Sequence, residues 1–148
     1  MTGVQTCALP ISPVPSPSPS RSSTTNTNLG TLIEQAISGY VTQTITDGAD
    51  TTITIPNGAT GVARNMTIEM TGALTAARNL IVPANKKLYF IYNNTTGGYA
   101  VTVKVSGQTG VSVPNGKKVI LVSNGTDIVS AECLCLVRSN GITTKGRL

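Results

Sequence analysis

The spacing of apolar positions changes near residue 40. Upstream, Leu29, Leu32, Ile33, Ala36, Ile37 and Tyr40 fall at i, i+3, i+4, i+7, i+8 and i+11, which places all six on one face of a helix over residues 29–40. Thr31 and Glu34 have capping-box spacing, Thr27 or Asn28 could cap earlier, and Gly39 supplies a stop. So short a helix is marginal alone, so its stripe must pack on the rest of the chain or on copies of itself.

From Val41 the period is 2. The isoleucines of Thr52-Ile53-Thr54-Ile55 share one face, Met66, Ile68 and Met70 alternate with Thr67, Glu69 and Thr71, and Val101, Val103 and Val105 alternate with Thr102 and Lys104, so each stretch predicts a half-buried strand. Leu88 to Tyr92, LYFIY, is apolar on both faces and belongs in the middle of the fold. Asn93 to Gly98, NNTTGG, predicts a hairpin between LYFIY and the valine strand. Gly110 to Ala131 reads as strand, Pro-Asn-Gly turn, strand, Asn-Gly turn, strand.

A weak repeat runs through this region: TITIPNGAT from Thr52, NLIVPANKK from Asn79 and VSVPNGKK from Val111. Each leads β-branched residues into a proline, which cannot donate to a ladder and so ends the strand. Pro56, Pro83 and Pro114 lie 27 and 31 residues apart, and this unequal spacing argues against a strict solenoid. The expected fold is mainly β: a small antiparallel β-sandwich or partly closed barrel over residues 41–131, preceded by one short amphipathic helix and a disordered N-terminal linker. A β-solenoid is the alternative.

The ends have their own character. Pro13 to Asn28 is rich in Pro, Ser, Thr and Asn and reads as a solvated linker. Met1 to Ser12, MTGVQTCALPIS, lacks the basic start and apolar run of a signal peptide and resembles the translation of a sequencing-library adapter, which marks the chain as a metagenomic fragment. Residues 132–148 carry an apolar run, Leu134 to Val137, then turn basic; they read as one more strand with a frayed end or as a broken reading frame.

Composition narrows the function. Only 11% of residues are charged, and the net charge of +5 is scattered from Arg21 to Arg147 instead of forming a basic stripe, which argues against nucleic acid as a partner. No apolar run approaches membrane-spanning length, so no membrane insertion is expected. Histidine is absent, and Cys7, Cys133 and Cys135 offer no second ligand pair, so neither a metal site nor a cofactor is expected. The six carboxylates are Glu34, Asp47, Asp50, Glu69, Asp127 and Glu132; Asp47, Asp50 and Asp127 sit in turn compositions, which argues against a hydrolase pair and for a protein that is not an enzyme. Lys86, Lys87, Lys117 and Lys118 follow turns and read as strand-end charges that discourage edge pairing. Tyr89 and Tyr92 belong to the apolar strand, whereas Tyr99, Asn93 and Asn94 around the NNTTGG turn are candidate contacts for a glycan.

The order of segments TDGAD, TGALTAARN, VPANKKLYFIYNNTTGG, VPNGKKV and NGTDIV, within Asn26 to Ala131, resembles a segment of tail-fibre and other virion structural proteins of tailed bacteriophages. That resemblance implies a non-enzymatic part of a virion tail, made in the bacterial host cytoplasm. It also implies a homo-oligomer, with a trimer favoured, that contacts other tail proteins. A carbohydrate-binding or adhesin module that contacts host surface glycans in host attachment is the alternative.

Overall fold

The computed structural model describes residues 25–131. Residues 1–24, residues 132–148 and all three cysteines lie outside the described residues. Of the linker expected over residues 13–28, the last four, 25–28, are helical and not disordered, because the helix starts earlier than its apolar stripe. A π-helical turn, Thr27–Leu32, continues into α1, Ile33–Ser38, and nine strands follow: β1 Tyr40–Thr44, β2 Thr51–Thr52, β3 Thr67–Thr71, β4 Arg78–Val82, β5 Lys86–Asn93, β6 Val101–Val105, β7 Val111–Val113, β8 Lys118–Asn124 and β9 Ile128–Ser130. A 3-10 turn, Val62–Arg64, precedes β3.

The mainly β fold with two sheets and one short helix is as expected; its strand pairing is not purely antiparallel, and no barrel closes. One sheet has the order β1-β3-β5-β8-β9 and the other β2-β4-β6-β7. From β1 to β6 the chain alternates between sheets, so β1, β3 and β5 pair in parallel in one and β2, β4 and β6 in parallel in the other. Three coils are thereby stacked, as in a short solenoid. Antiparallel pairing enters only with β7 on β6, β8 on β5 and β9 on β8.

The threefold repeat acquires a physical meaning here. Pro56, Pro83 and Pro114 follow Ile55, Val82 and Val113, at the corner where the chain leaves the second sheet for the first. Val82 pairs with Val105 one coil later, but no proline follows Val105. Instead the chain reverses into β7, and only after that hairpin does Pro114 turn it across. The longer second spacing is one coil plus a hairpin, and that hairpin is where the stacking of coils stops. Likewise Asn93 to Gly98 is no hairpin: it carries the chain from β5 in one sheet to β6 in the other.

Successive coils place like residues above one another and bury them between the sheets. In the first sheet Val41, Ile68, Ile91 and Val119 form one inward row, and in the second Leu80, Val103 and Val111 form another beside Thr51. Tyr89 is fully buried from β5. Its hydroxyl has no hydrogen-bond partner among the described residues, and burial pushes its pKa up to about 12.

The corners leading from the first sheet to the second are stacked by backbone hydrogen bonds. Ile45 N–H donates to Thr71 O at 2.7 Å, Thr96 N–H to Gly72 O at 2.8 Å, and Leu74 N–H to Thr96 O at 2.9 Å. Such close approach dictates Gly72 and Gly97, both with positive φ; a Cβ at Gly97 would lie 2.0 Å from Leu74 O. The opposite corner is closed by Lys87. Its ammonium donates to Ala63 O at 2.9 Å, to Asn65 O at 2.8 Å and to Arg64 O, satisfying the carbonyls at the end of the 3-10 turn. Burial, with Arg64 adding to it, pushes the Lys87 pKa down to about 8, while the carbonyls pull the other way by accepting from the charged form. The expectation of a strand-edge charge therefore fails for Lys87, since β5 lies at the centre of its sheet.

The helix is displaced from its expected position. It begins before Thr31, which lies inside it, so the capping box does not form, and the Asn26 side chain makes no capping hydrogen bond. It ends at Ser38, where Gly39 N–H donates to Gln35 O and the chain becomes extended; Tyr40 opens β1 rather than closing the helix. Of the predicted stripe Leu32 is 8% exposed, whereas Leu29, Ile33 and Ile37 are 63, 46 and 66% exposed.

Three substitutions test the corners. Gly98 also has positive φ but open space around it, so Gly98→Ala should cost about 1–2 kcal/mol, the strain of a left-handed residue alone. Gly97→Ala should cost clearly more, read as a larger fall in the urea midpoint. Lys87→Met should cost about 1–3 kcal/mol for the orphaned carbonyls.

Candidate functional site

The outward face of the first sheet carries the most developed surface site. Because side chains alternate along a strand, Leu88, Phe90 and Tyr92 of β5 point away from the core that Tyr89, Ile91 and Asn93 enter. Registration puts Tyr92 opposite Lys118, Phe90 opposite Ile120 and Leu88 opposite Val122 on β8, and Thr67 with Tyr40 on the other side of Phe90. A groove of about 280 Å³ runs across these strands, lined by Tyr40, Thr67, Phe90, Tyr92, Lys118 and Ile120. Ile120 is 43% exposed and Tyr40 59%.

Along one side of the groove runs a chain of polar contacts. Tyr40 O–H donates to Glu69 Oε2, Asn94 Nδ2 donates to Glu69 Oε1 at 2.6 Å, and Tyr92 O–H donates to Asn94 Oδ1 at 3.1 Å. Lys118 Nζ lies 4.6 Å from the centre of the Tyr92 ring, a cation–π distance. The Tyr40 hydrogen bond, aided by Asn94, holds Glu69 below the usual carboxylate range, and the same bond holds the Tyr40 phenol above its ordinary value. Glu69 is thus kept as an acceptor, with no second carboxylate or nucleophile in the network. This arrangement orients aromatic rings and holds an apolar groove open; it offers no general acid and base pair.

The candidate glycan contacts separate. Asn93 is fully buried: its amide donates to Val113 O at 2.9 Å and Tyr99 O at 3.2 Å, and its oxygen accepts from Thr95 Oγ1 at 2.7 Å and Thr95 N–H at 3.2 Å. The fold uses every polar atom of that side chain, so it does not face a ligand. Asn94 belongs to the Glu69 network, and Tyr99 is 39% exposed beyond the same turn. Tyr92 lies on the outward face, not in the core where the sequence put it.

The turn aspartates clamp coils together. Asp47 Oδ1 accepts from Arg78 Nη2 at 2.7 Å and Nε at 2.9 Å, and Oδ2 accepts from Thr75 Oγ1 at 2.7 Å. Asp50 Oδ1 accepts from Asn79 Nδ2 at 2.9 Å. Thr75, Arg78 and Asn79 all belong to the next coil. Asp127 Oδ2 accepts from Gly110 N–H at 2.9 Å and Oδ1 from Ile128 N–H at 2.7 Å. Burial raises its pKa, but these and other backbone hydrogen bonds outweigh burial and leave it low. Among the described residues no three His, Cys, Asp or Glu side chains are grouped to hold a metal ion.

Sequence reasoning missed the groove because it treated Tyr40 as helical and LYFIY as covered on both sides. A signal existed in Val119 to Val122, which is apolar on both faces like LYFIY: two neighbouring strands of this kind build an apolar outer surface as well as a core. No protein-family model matches the chain, and comparison with curated proteins and with solved structures finds no match.

Acid stability should report the Asp47 clamp. Thr75 and Arg78 lower its pKa from 3.8, so the folded state binds fewer protons than the unfolded one; the stabilisation is present above the unfolded value and is lost as pH falls through the folded one. Asp47→Asn should lower the melting temperature at neutral pH and flatten its fall below about pH 4, as read by circular dichroism across pH.

Proposed function

We propose that the chain is a non-enzymatic virion structural module, a part of a tailed-bacteriophage tail and most closely a tail-fibre module, that works by assembling with other protein surfaces. The observation that carries the assembly reading is the pair of apolar surfaces that nothing among the described residues covers: the Leu29, Ile33 and Ile37 ridge and the Tyr40, Phe90 and Ile120 groove. Apolar surface of this kind marks an interaction site. Asp47 and Asp50 act as clamps between coils, which suits a load-bearing module better than a reactive one. The assignment to a phage tail rests on the ordered segments from TDGAD to NGTDIV.

Two measurements test this reading. Light scattering of the purified chain should give a mass that rises above the 15.2 kDa of a monomer as concentration increases; a mass fixed at 15.2 kDa to millimolar concentration overturns the assembly reading. DNA sequence flanking the coding region should encode tail and packaging proteins, and metabolic genes on both sides would remove the phage assignment.

A further inference from the structure

The two uncovered surfaces fit each other. Leu29, Ile33 and Ile37 lie at i, i+4 and i+8 along the π-helical turn and α1, forming an exposed ridge no longer than the roughly 12 Å that the α-helical rise would give. The groove crosses β1, β3, β5 and β8, four strands at about 4.8 Å spacing and so about 14 Å across. Glu34 is the one charged residue of the segment from Thr27 to Ser38, it is exposed, and it sits beside the ridge between Ile33 and Ile37. Lys118 is the cation lining the groove. Ridge and groove thus match in length, in apolar character and in the sign of their flanking charges.

Within one copy the two do not cover each other, since residues of both stay exposed. Met66 N–H and Gly39 N–H both donate to Gln35 O, at 3.2 and 3.1 Å, which pins the end of the helix beside the start of β3. Tyr40, two residues past the helix, is itself a wall of the groove. Leu29, Ile33 and Ile37 stay exposed on the copy that carries them, which leaves them for a neighbour to cover.

Resting on the assembly reading above, we propose that Leu29, Ile33 and Ile37 of one copy dock in the Tyr40, Phe90 and Ile120 groove of a second copy of this chain, with Glu34 facing Lys118 across the contact. Because ridge meets groove, the contact is satisfied either reciprocally, in a two-fold dimer in which the copies exchange helices, or head to tail in a ring or filament. A helix laid in an apolar groove makes the ridge residues the anchors and the charge pair the determinant of register.

The test uses the full chain in sedimentation equilibrium, with circular dichroism confirming that each variant is folded. Ile37→Glu and Ile120→Glu should each weaken association by about tenfold or more, as expected for buried anchors. Tyr99→Glu, outside the contact, should leave it unchanged. Glu34→Lys and Lys118→Glu should each weaken association, and the double variant should recover most of the loss. Association that survives both Ile37→Glu and Ile120→Glu would overturn the docking mode while leaving the assembly reading intact. A wild-type chain that stays monomeric would overturn both.

Discussion

Parallel neighbours in a sheet require the chain to leave, travel elsewhere and return at the same height. In this protein the return is through the opposite sheet, and the height is fixed at the corners. Backbone bonds such as Ile45 to Thr71 and Leu74 to Thr96 join one corner to the next, with Gly72 and Gly97 allowing the approach. Asp47 adds a side-chain clamp by gripping Thr75 and Arg78 of the coil above. Every inward row of apolar residues depends on that agreement, because a slip of one residue at a corner would turn each strand's core face outward.

The same constraint creates the outer groove. Once β3, β5 and β8 are in register, the residues between the core positions are in register too, so Thr67, Phe90 and Ile120 are brought level without any packing of their own. The Tyr40, Glu69, Asn94 and Tyr92 chain of hydrogen bonds then fixes the rings beside them. A core requirement and a surface feature are two faces of one ladder. That coupling builds an apolar outer groove from the same register that packs the core.

Much of the fold was legible in single residues. Period-2 alternation located β3 and β6, and turn signals located β7 to β9. Pro83 and Pro114 follow directly on the last residues of β4 and β7 because a residue without an N–H cannot continue a ladder, whereas β2 ends at Thr52, four residues before Pro56. Asp47, Asp50 and Asp127 do lie in loops between strands, but Asp47 and Asp50 accept from Thr75, Arg78 and Asn79 of the next coil instead of from their own turn. The glycan proposal was less legible, because Asn93 and Asn94 are adjacent and chemically identical yet face opposite ways: one is buried and fully hydrogen-bonded, the other lies on the surface.

What the sequence determined by itself was local: which stretches are extended, where they end, and which residues share a face. Those follow from backbone sterics and the alternation of side chains, which act over a few positions. Only the tertiary structure decided which sheet each strand joins, because pairing depends on partners 23 or more residues away along the coil. It alone also decided which faces are covered. LYFIY has two apolar faces in any fold; stacking on the second sheet buries Tyr89 and Ile91, and the lack of a second layer among the described residues leaves Phe90 and Tyr92 to line a groove.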